Sequence, residues 1–498
     1  MPHLSHPPHF DEMYHALAAQ GWLETGAFTL GNGIYDRAWM FTLSVAASIA
    51  MFGDSLAAAR IPALAFGTLW VLGVYLWTRR HAGPLAGFLA GSCFALAPGA
   101  INLSQLVRFY TMHGLLFWLF AISVFAVTER RFDRRSGLLA IVAAATGYLA
   151  LALQDTTMIG VTAIGIWLGI RHGPQWVRRA RTESLAQWVV GVSLVLGIAA
   201  VAAFVLSGSA SDLYIEYRSS ALWAAGKRDD VTWYHDHFNR RFGAFWALFP
   251  LAVLVAIKRA GAASTFMTTL FGVAFVLHSG AGMKAERYLY YAMPAFFVLW
   301  SIALSVLLPR IFALNMGVVR SILSDLRLRA AASIGITVLM LLFATYATPV
   351  NYTIRAMLVP QHGYRPYSQP NWPAATEVLS PIADTVAVVV SASLPKALYF
   401  FGRADVALGV TELTELTPGD SKPPDFTIDP RTGRPSISQP SSIRRLMADH
   451  ASGLVVVEDQ QWSRDCCVTP AVAHLLETCL QEIEMPREWQ LRAFRWAP

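Results

Sequence analysis

The sequence predicts a polytopic α-helical membrane protein with a C-terminal α/β domain, and three observations predict it. The 498 residues are 55% hydrophobic and only 14% charged, with a mean hydropathy of +0.44. A soluble domain carries about 25% charged residues, and so few charges cannot cover a water-facing surface. Apolar runs long enough to cross about 30 Å of hydrocarbon recur along most of the chain. Lys and Arg collect in every second loop between those runs, as they do on the cytoplasmic side of a membrane. The formal net charge of +7 belongs to those loops, so no nucleic-acid partner is expected. No cleavable signal peptide is visible at the N-terminus.

Residues 1–56 read as a first outer loop with an interfacial helix, 57–348 as a transmembrane bundle and 349–498 as a soluble domain. Apolar runs lie near 57–77, 82–98, 111–128, 137–153, 156–171, 186–207, 242–258, 264–280, 290–308 and 331–348, which makes about ten or eleven membrane helices depending on 38–52. That further stretch is short and carries Thr42, Ser44 and Ser48; it reads as an interfacial or re-entrant helix. The basic loops hold Arg79-Arg80; Arg130, Arg131, Arg134 and Arg135; Arg171, Arg178, Arg179 and Arg181; Lys258-Arg259; and Arg310, Arg320, Arg327 and Arg329. They are expected in the cytoplasm. The loops 99–110, 154–155, 208–241 and 281–289 then face the other side, with everything after Pro349. The N-terminal loop joins them if 38–52 does not span. A preceding spanning helix, lost to a misplaced start codon, would deliver it there, and in-frame apolar codons upstream would support that.

The tail alternates strand and helix signals, as a small α/β domain does. Thr385–Ser391, Gly453–Val457 and Trp489–Trp496 read as strands, and Pro395–Gly402, Ser441–His450 and Pro470–Leu480 as helices. The stretch 417–440, rich in Pro, Asp and Ser, reads as a long loop. Cys93 lies in an apolar run; Cys466 or Cys467 could bridge to Cys479 if the tail is outside the cell membrane.

Five outward-facing polar groups are candidates for chemistry. The first is Asp11-Glu12, with Tyr14 and His15. Acids at the mouth of a membrane bundle serve chemistry or an ion path, though acids also favour the first turn of a helix. The second is Tyr35-Asp36-Arg37, which doubles as an interfacial anchor. The third is Arg108-Phe109-Tyr110 after the Pro98-Gly99 break; an Arg there can also snorkel. The fourth is Lys284-Ala285-Glu286-Arg287-Tyr288, with cations where the topology rule expects few, which points to phosphate binding. The fifth is the loop 208–241, where Tyr214, Tyr217, Arg218, Trp223, Lys227, Arg228, Asp229, Asp230, Trp233 and Tyr234 suit lipid headgroups or sugars. His3, His6 and His9 with Asp11 match no standard zinc spacing. No metal site or cofactor is expected, a divalent metal being the disfavoured alternative. Asp155 reads as a cap or packing partner before an ion path.

Taken together, Asp11-Glu12-x-Tyr14, Tyr35-Asp36-Arg37, Ala59-Arg60-Ile61-Pro62-Ala63-Leu64, Arg108-x-Tyr110 and Lys284-x-x-Arg287-Tyr288 with Pro294 resemble the GT-C glycosyltransferases. The nearest look is to the protein O-mannosyltransferase-like branch, which includes the aminoarabinose transferase of lipid A. The resemblance runs from about residue 6 to 310. Each motif is short; their order and spacing carry the specificity. The resemblance implies a GT-C-like bundle, an extracytoplasmic tail domain, an essential Asp on the first outer loop and a sugar donor on a polyprenyl phosphate. Carried over by position, Asp11, with Glu12 beside it, is the catalytic carboxylate. Arg37, Lys284, Arg287 and Tyr288 are candidates for the donor phosphate, and Tyr14, Arg108, Tyr110, Lys227 and Arg228 complete the candidate site. The sequence departs from the pattern at His113, where many members have an acid, and in lacking a spanning helix before Asp11.

The chemistry fits one carboxylate. A glycosidase needs two, because the departing oxygen must be protonated. A departing phosphate needs only positive charge and hydrogen-bond donors, so Asp11 can serve alone as the base towards an acceptor hydroxyl or amine. Attack opposite the phosphate inverts the anomeric centre. The expected partners are the lipid-linked donor, membrane lipid and a glycan, lipid or protein acceptor. The expected location is the bacterial inner membrane, with the site outside the cytoplasm. The alternatives are a transporter or flippase of lipid-linked sugars, which needs ionisable groups at mid-membrane depth, and a non-catalytic protein of the same fold that binds lipid-linked glycan.

Overall fold

The computed structural model describes residues 4, 6–129, 134–182, 215, 217–219, 226–320, 327–328, 331–335, 369–409, 424–463 and 467–497. Asp11 stands directly before helix α1 (Glu12–Thr25), which ends on Gly26 in the left-handed conformation. Two short antiparallel strands, β1 (Thr29–Leu30) and β2 (Gly33–Ile34), lead into α2 (Trp39–Phe52). At 1.5 Å per residue α2 is about 21 Å long, too short to span. It lies against its neighbours instead: Thr42 Oγ1 is 2.9 Å from His15 Nδ1, and Ser48 Oγ donates to the carbonyl of Ala58 at 2.6 Å. Trp39, Met51 and Phe52 stay exposed.

The bundle starts with α3 (Leu56–Ala82), capped by Ser55 and closed by Arg79, Arg80 and His81 in its last turn, where cations complement the helix dipole. The run 82–98 becomes two pieces, α4 (Pro84–Ala95) and α5 (Pro98–Ser104), bent by 61°. Pro98 opens α5 at its first position, where a proline starts a helix and cannot continue one. Then come α6 (Tyr110–Thr128), α7 (Arg134–Leu153) and α8 (Thr157–Thr182). Arg171 grips Glu129 at 2.9 and 3.1 Å, joining the basic ends of α6 and α8. A short outer helix, α9 (Trp233–Phe242), precedes α10 (Phe249–Gly280) and α11 (Met293–Arg320).

Helix α10 is not one rod. Ala260 and Gly261 leave helical geometry, Gly261 with φ of 26°. Ser264 Oγ donates to the Ala256 carbonyl at 2.8 Å. The Phe249 and Phe271 rings lie 5.3 Å apart, although a straight helix would separate them by about 33 Å. The element is a helical hairpin with Lys258-Arg259 beside its turn, as the two separate runs 242–258 and 264–280 predict. The runs 186–207 and 336–348 fall outside the described residues. Inside the bundle, Trp70, Trp118, Phe117, Phe266, Phe271 and Phe296 are buried. Lipid tails are as apolar as these side chains, so close packing rather than water exclusion holds them together.

In the C-terminal domain α12 (Trp372–Ala383), β3 (Val388–Ser391), α13 (Leu394–Phe401), β4 (Val406–Leu408), β5 (Thr427–Ile428), β6 (Pro435–Ile437), α14 (Pro440–Asp449), β7 (Gly453–Glu458), α15 (Pro470–Cys479), β8 (Gln481–Ile483) and β9 (Leu491–Trp496) follow in order. They build a sheet of order β5-β6-β4-β3-β7-β9-β8, parallel at its centre and antiparallel at both edges. The all-apolar run Val388-Val389-Val390 is the central strand, buried on both faces as parallel strands are. The expected long loop 417–440 is only partly a loop: β5 and β6 lie within it and extend the sheet. Cys467 and Cys479 are free thiols, so the bridge considered between them is not formed; Cys466 lies outside the described residues.

The domain docks on the N-terminal unit. Tyr14, Ala18, Leu30 and Tyr35 share one core with Trp372, Leu398 and Phe401. Asn32 N–H donates to the Thr432 carbonyl at 2.9 Å. A Cβ on Gly33 would meet the Arg431 backbone at 2.5 Å, so this approach requires glycine.

Candidate active site

The anchor of the site is a buried ion pair. Arg60 Nε and Nη2 hold the two Glu12 oxygens at 2.8 and 3.0 Å, and its Nη1 donates to the Leu4 and His6 carbonyls at 2.6 and 2.9 Å. The same carboxylate accepts from the backbone N–H groups of His9, at 2.7 Å, and Val107, at 3.1 Å. Both side chains are fully buried. Burial alone would raise the Glu12 pKa, but Arg60 and these donors outweigh it and hold the group ionised. One carboxylate thus ties α1, α3, the first loop and the segment before α6 into a fixed frame.

That frame aims Asp11 into a cavity of about 640 Å³. His9 and Asp11 line it from the first loop, Arg108 and Tyr110 from the entry to α6, and Arg287 from the segment before α11. Lys227 and the α9 residues Trp233, His237, Arg240 and Arg241 form the facing wall, and Gln369 comes from the edge of the C-terminal domain. Arg287 Nη1 donates to Asp11 Oδ2 at 3.2 Å, across 276 positions of sequence. Arg108 donates through Nη1 to the Asp11 carbonyl and through Nη2 to the Tyr110 hydroxyl, both at 3.2 Å. Burial would raise the Asp11 pKa; the charges of Arg108 and Arg287, helped by His9 and Arg37, reverse that and hold it far below the usual carboxylate range.

Five of the expected site residues therefore meet: Asp11, Arg108, Tyr110, Lys227 and Arg287. Two stand just behind. The Arg37 guanidinium lies 5.8 Å from the Phe109 ring centre and reaches Asp11 only through its charge. Tyr288 lies under the Arg287 guanidinium at 5.4 Å. The others are elsewhere. Glu12, expected as a catalytic partner of Asp11, is enclosed by Arg60 and is a positioning residue. Lys284, expected on the donor phosphate, is fully buried and donates to the Arg228 and Ala281 carbonyls at 2.6 and 2.7 Å; it closes a loop and does not line the cavity. Arg228 turns its guanidinium to Asp229 at 3.6 Å. Tyr14 stacks on Tyr35 at 5.0 Å within the domain junction. His113 bonds Thr157 at 2.7 Å inside the bundle, and Asp155 is exposed in the turn between α7 and α8. His3 lies outside the described residues, and among the described residues no group of three or more His, Cys, Asp or Glu is placed to hold a metal ion.

The sequence analysis does not single out Glu286 as a cavity residue, nor His9 or the α9 residues His237, Arg240 and Arg241. Glu286 supplies a second cavity carboxylate, bound by Arg241 at 3.1 Å and 3.7 Å from His237. A Cβ on Gly99 would meet its Oε1 at 2.2 Å. Trp233 and His237 stack at 5.1 Å, nearly parallel. The available signal was periodicity: Trp233, His237 and Arg241 recur every fourth residue and share one helix face.

The fold is that of the GT-C membrane glycosyltransferases. The structure is similar to ArnT from Cupriavidus metallidurans bound to undecaprenyl phosphate, with a TM-score of 0.61 and 16% identity over 99% of this chain and 94% of that one. The apo form of the same protein gives 0.59 at 15% identity. The archaeal oligosaccharyltransferase AglB from Archaeoglobus fulgidus, in complex with an inhibitory peptide and a dolichol-phosphate, gives 0.56 at 12% identity, over 91% of this chain and 66% of that one. No family model and no curated sequence matches the chain.

Proposed function

We propose that the protein is an inverting glycosyltransferase that moves a sugar from a polyprenyl-phosphate donor to an acceptor on the extracytoplasmic side of the membrane. The observation that carries it is the meeting of Asp11 with Arg108 and Arg287 in one cavity, drawn from three segments distant in sequence. The GT-C fold supports the reading, since its solved relatives bind undecaprenyl or dolichol phosphate.

In the resting site Asp11 is a weak base, because its arginines stabilise the charged form. An arriving donor phosphate shares those arginines and adds its own negative charge. Both effects raise the Asp11 pKa towards that of a useful base. The acceptor O–H or N–H proton then passes to Asp11 as the acceptor bonds to the anomeric carbon. The C–O bond to phosphate breaks, and its electron pair leaves on the phosphate, held by Arg108 and Arg287. The lipid tail enters between helices, and the bilayer keeps it.

The test is transfer from radiolabelled polyprenyl-phosphate sugars, offered one at a time to membranes containing the protein. Asp11→Asn should lower turnover by about 10²- to 10⁴-fold in a protein that still folds. Full transfer by that variant would remove Asp11 as the base. A flippase would move labelled donor across vesicles without forming a glycosylated acceptor.

A further inference from the structure

We propose that His9 is a fourth catalytic group of this cavity, its Nε2–H donating a hydrogen bond to the phosphate of the bound donor. The inference rests on the glycosyl-phosphate reading above and adds a neutral donor to its two arginines. Three observations carry it. The Asp11 backbone N–H donates to His9 Nδ1 at 3.2 Å, so that nitrogen presents its lone pair and the ring proton of the neutral imidazole sits on Nε2. No described residue pairs with Nε2, it is not one of the buried unpartnered atoms, and His9 lines the cavity. The residue is held in place, since its own N–H is bound to Glu12, and Glu12 to Arg60. Burial also favours the neutral ring, against the opposing charges of Asp11 and Glu12.

The chemistry needs such a group. As the C–O bond breaks, charge accumulates on the phosphate oxygens, and a donor fixed beforehand stabilises that charge without reorganising. No proton leaves His9; it enters and leaves the reaction neutral. The acceptor's proton still goes to Asp11.

Two substitutions separate this role from loop support. His9→Asn keeps an acceptor near Nδ1 for the Asp11 N–H and has nothing at Nε2. His9→Gln places an amide N–H near Nε2. The expected result is a loss of about 10²- to 10³-fold in kcat for His9→Asn, with His9→Gln within about tenfold of the parent. His9→Asn should also bind undecaprenyl phosphate more weakly than His9→Gln does, read by quenching of tryptophan fluorescence. The reverse ranking, equal losses, or no loss in either variant overturns the proposal. The binding arm keeps the two readings apart. If the parent binds undecaprenyl phosphate through His9 but transfers no sugar, the subsite stands and the transferase reading fails. If the parent transfers sugar and both variants match it, His9 is excluded and the transferase reading stands.

Discussion

Asp11 and Glu12 are neighbours with opposite fates, and the difference is set by partners far away in sequence. Glu12 meets a guanidinium with both oxygens inside protein; Asp11 meets two at a cavity wall. Removing one member of a buried pair leaves the other charged and unpaired, at about 3–5 kcal/mol. Glu12→Gln or Arg60→Met should therefore destabilise the protein by about that amount, measured by thermal or denaturant unfolding in detergent, with the double variant recovering part of the loss. A pH dependence follows with a definite sign. The folded Glu12 pKa lies below its ordinary 4.5, so its stabilisation is present above that pH and is lost as pH falls below it. The acid limb of the stability curve should shrink in Glu12→Gln. Asp11 gives a kinetic counterpart. In the free enzyme its pKa lies below the ordinary 3.8, whereas bound phosphate raises it. On acidification kcat, which reports the complex, should fall at a higher pH than kcat/KM, which reports the free enzyme. Coincident profiles would show that the donor does not compete for the arginines. The sequence could not separate the two acids, because adjacent residues differ only in which side of the helix start they face. Arg60, a lone cation near the outer end of an apolar helix, was the clue that one acid had a buried partner.

At the scale of elements, charge and apolar length were legible and tertiary closure was not. Lys258-Arg259 interrupting two apolar runs predicted the turn of α10, and the Val-rich run predicted the central strand. The 61° bend at Pro98 was visible only as a break. The strands β5 and β6, of two and three residues, carry too little pattern to be seen in a polar segment and exist because the sheet edge offers them partners. The α9 part of the far wall, His237, Arg240 and Arg241, was hidden inside a loop full of mixed charges. The docking of the C-terminal domain is likewise a property of close approach. Gly33→Val should force its side chain against the Arg431 backbone and loosen the domain from α1. The expected outcome is faster protease cleavage of the C-terminal domain and lower turnover, with undisturbed membrane insertion. Unchanged protection would mean that the contact at β2 does not hold the domain.

At the scale of the whole molecule, the alternation of basic loops predicts one membrane face for the cavity segments and the other for the Glu129–Arg171 pair. In a cysteine-free background, Asp229→Cys should react with a membrane-impermeant maleimide from outside intact cells, and Arg259→Cys only after the membrane is opened. Labelling of both from one side would contradict the positive-inside reading.

The Asp11–Arg287 contact also bears on biosynthesis. A ribosome makes the partner 276 residues after the acid. Until then the nascent chain carries an incomplete cavity, with the acid's longest-range partner still missing. Contacts of such long sequence separation form late and slowly, so the cavity closes only after the segment before α11 has been made and inserted.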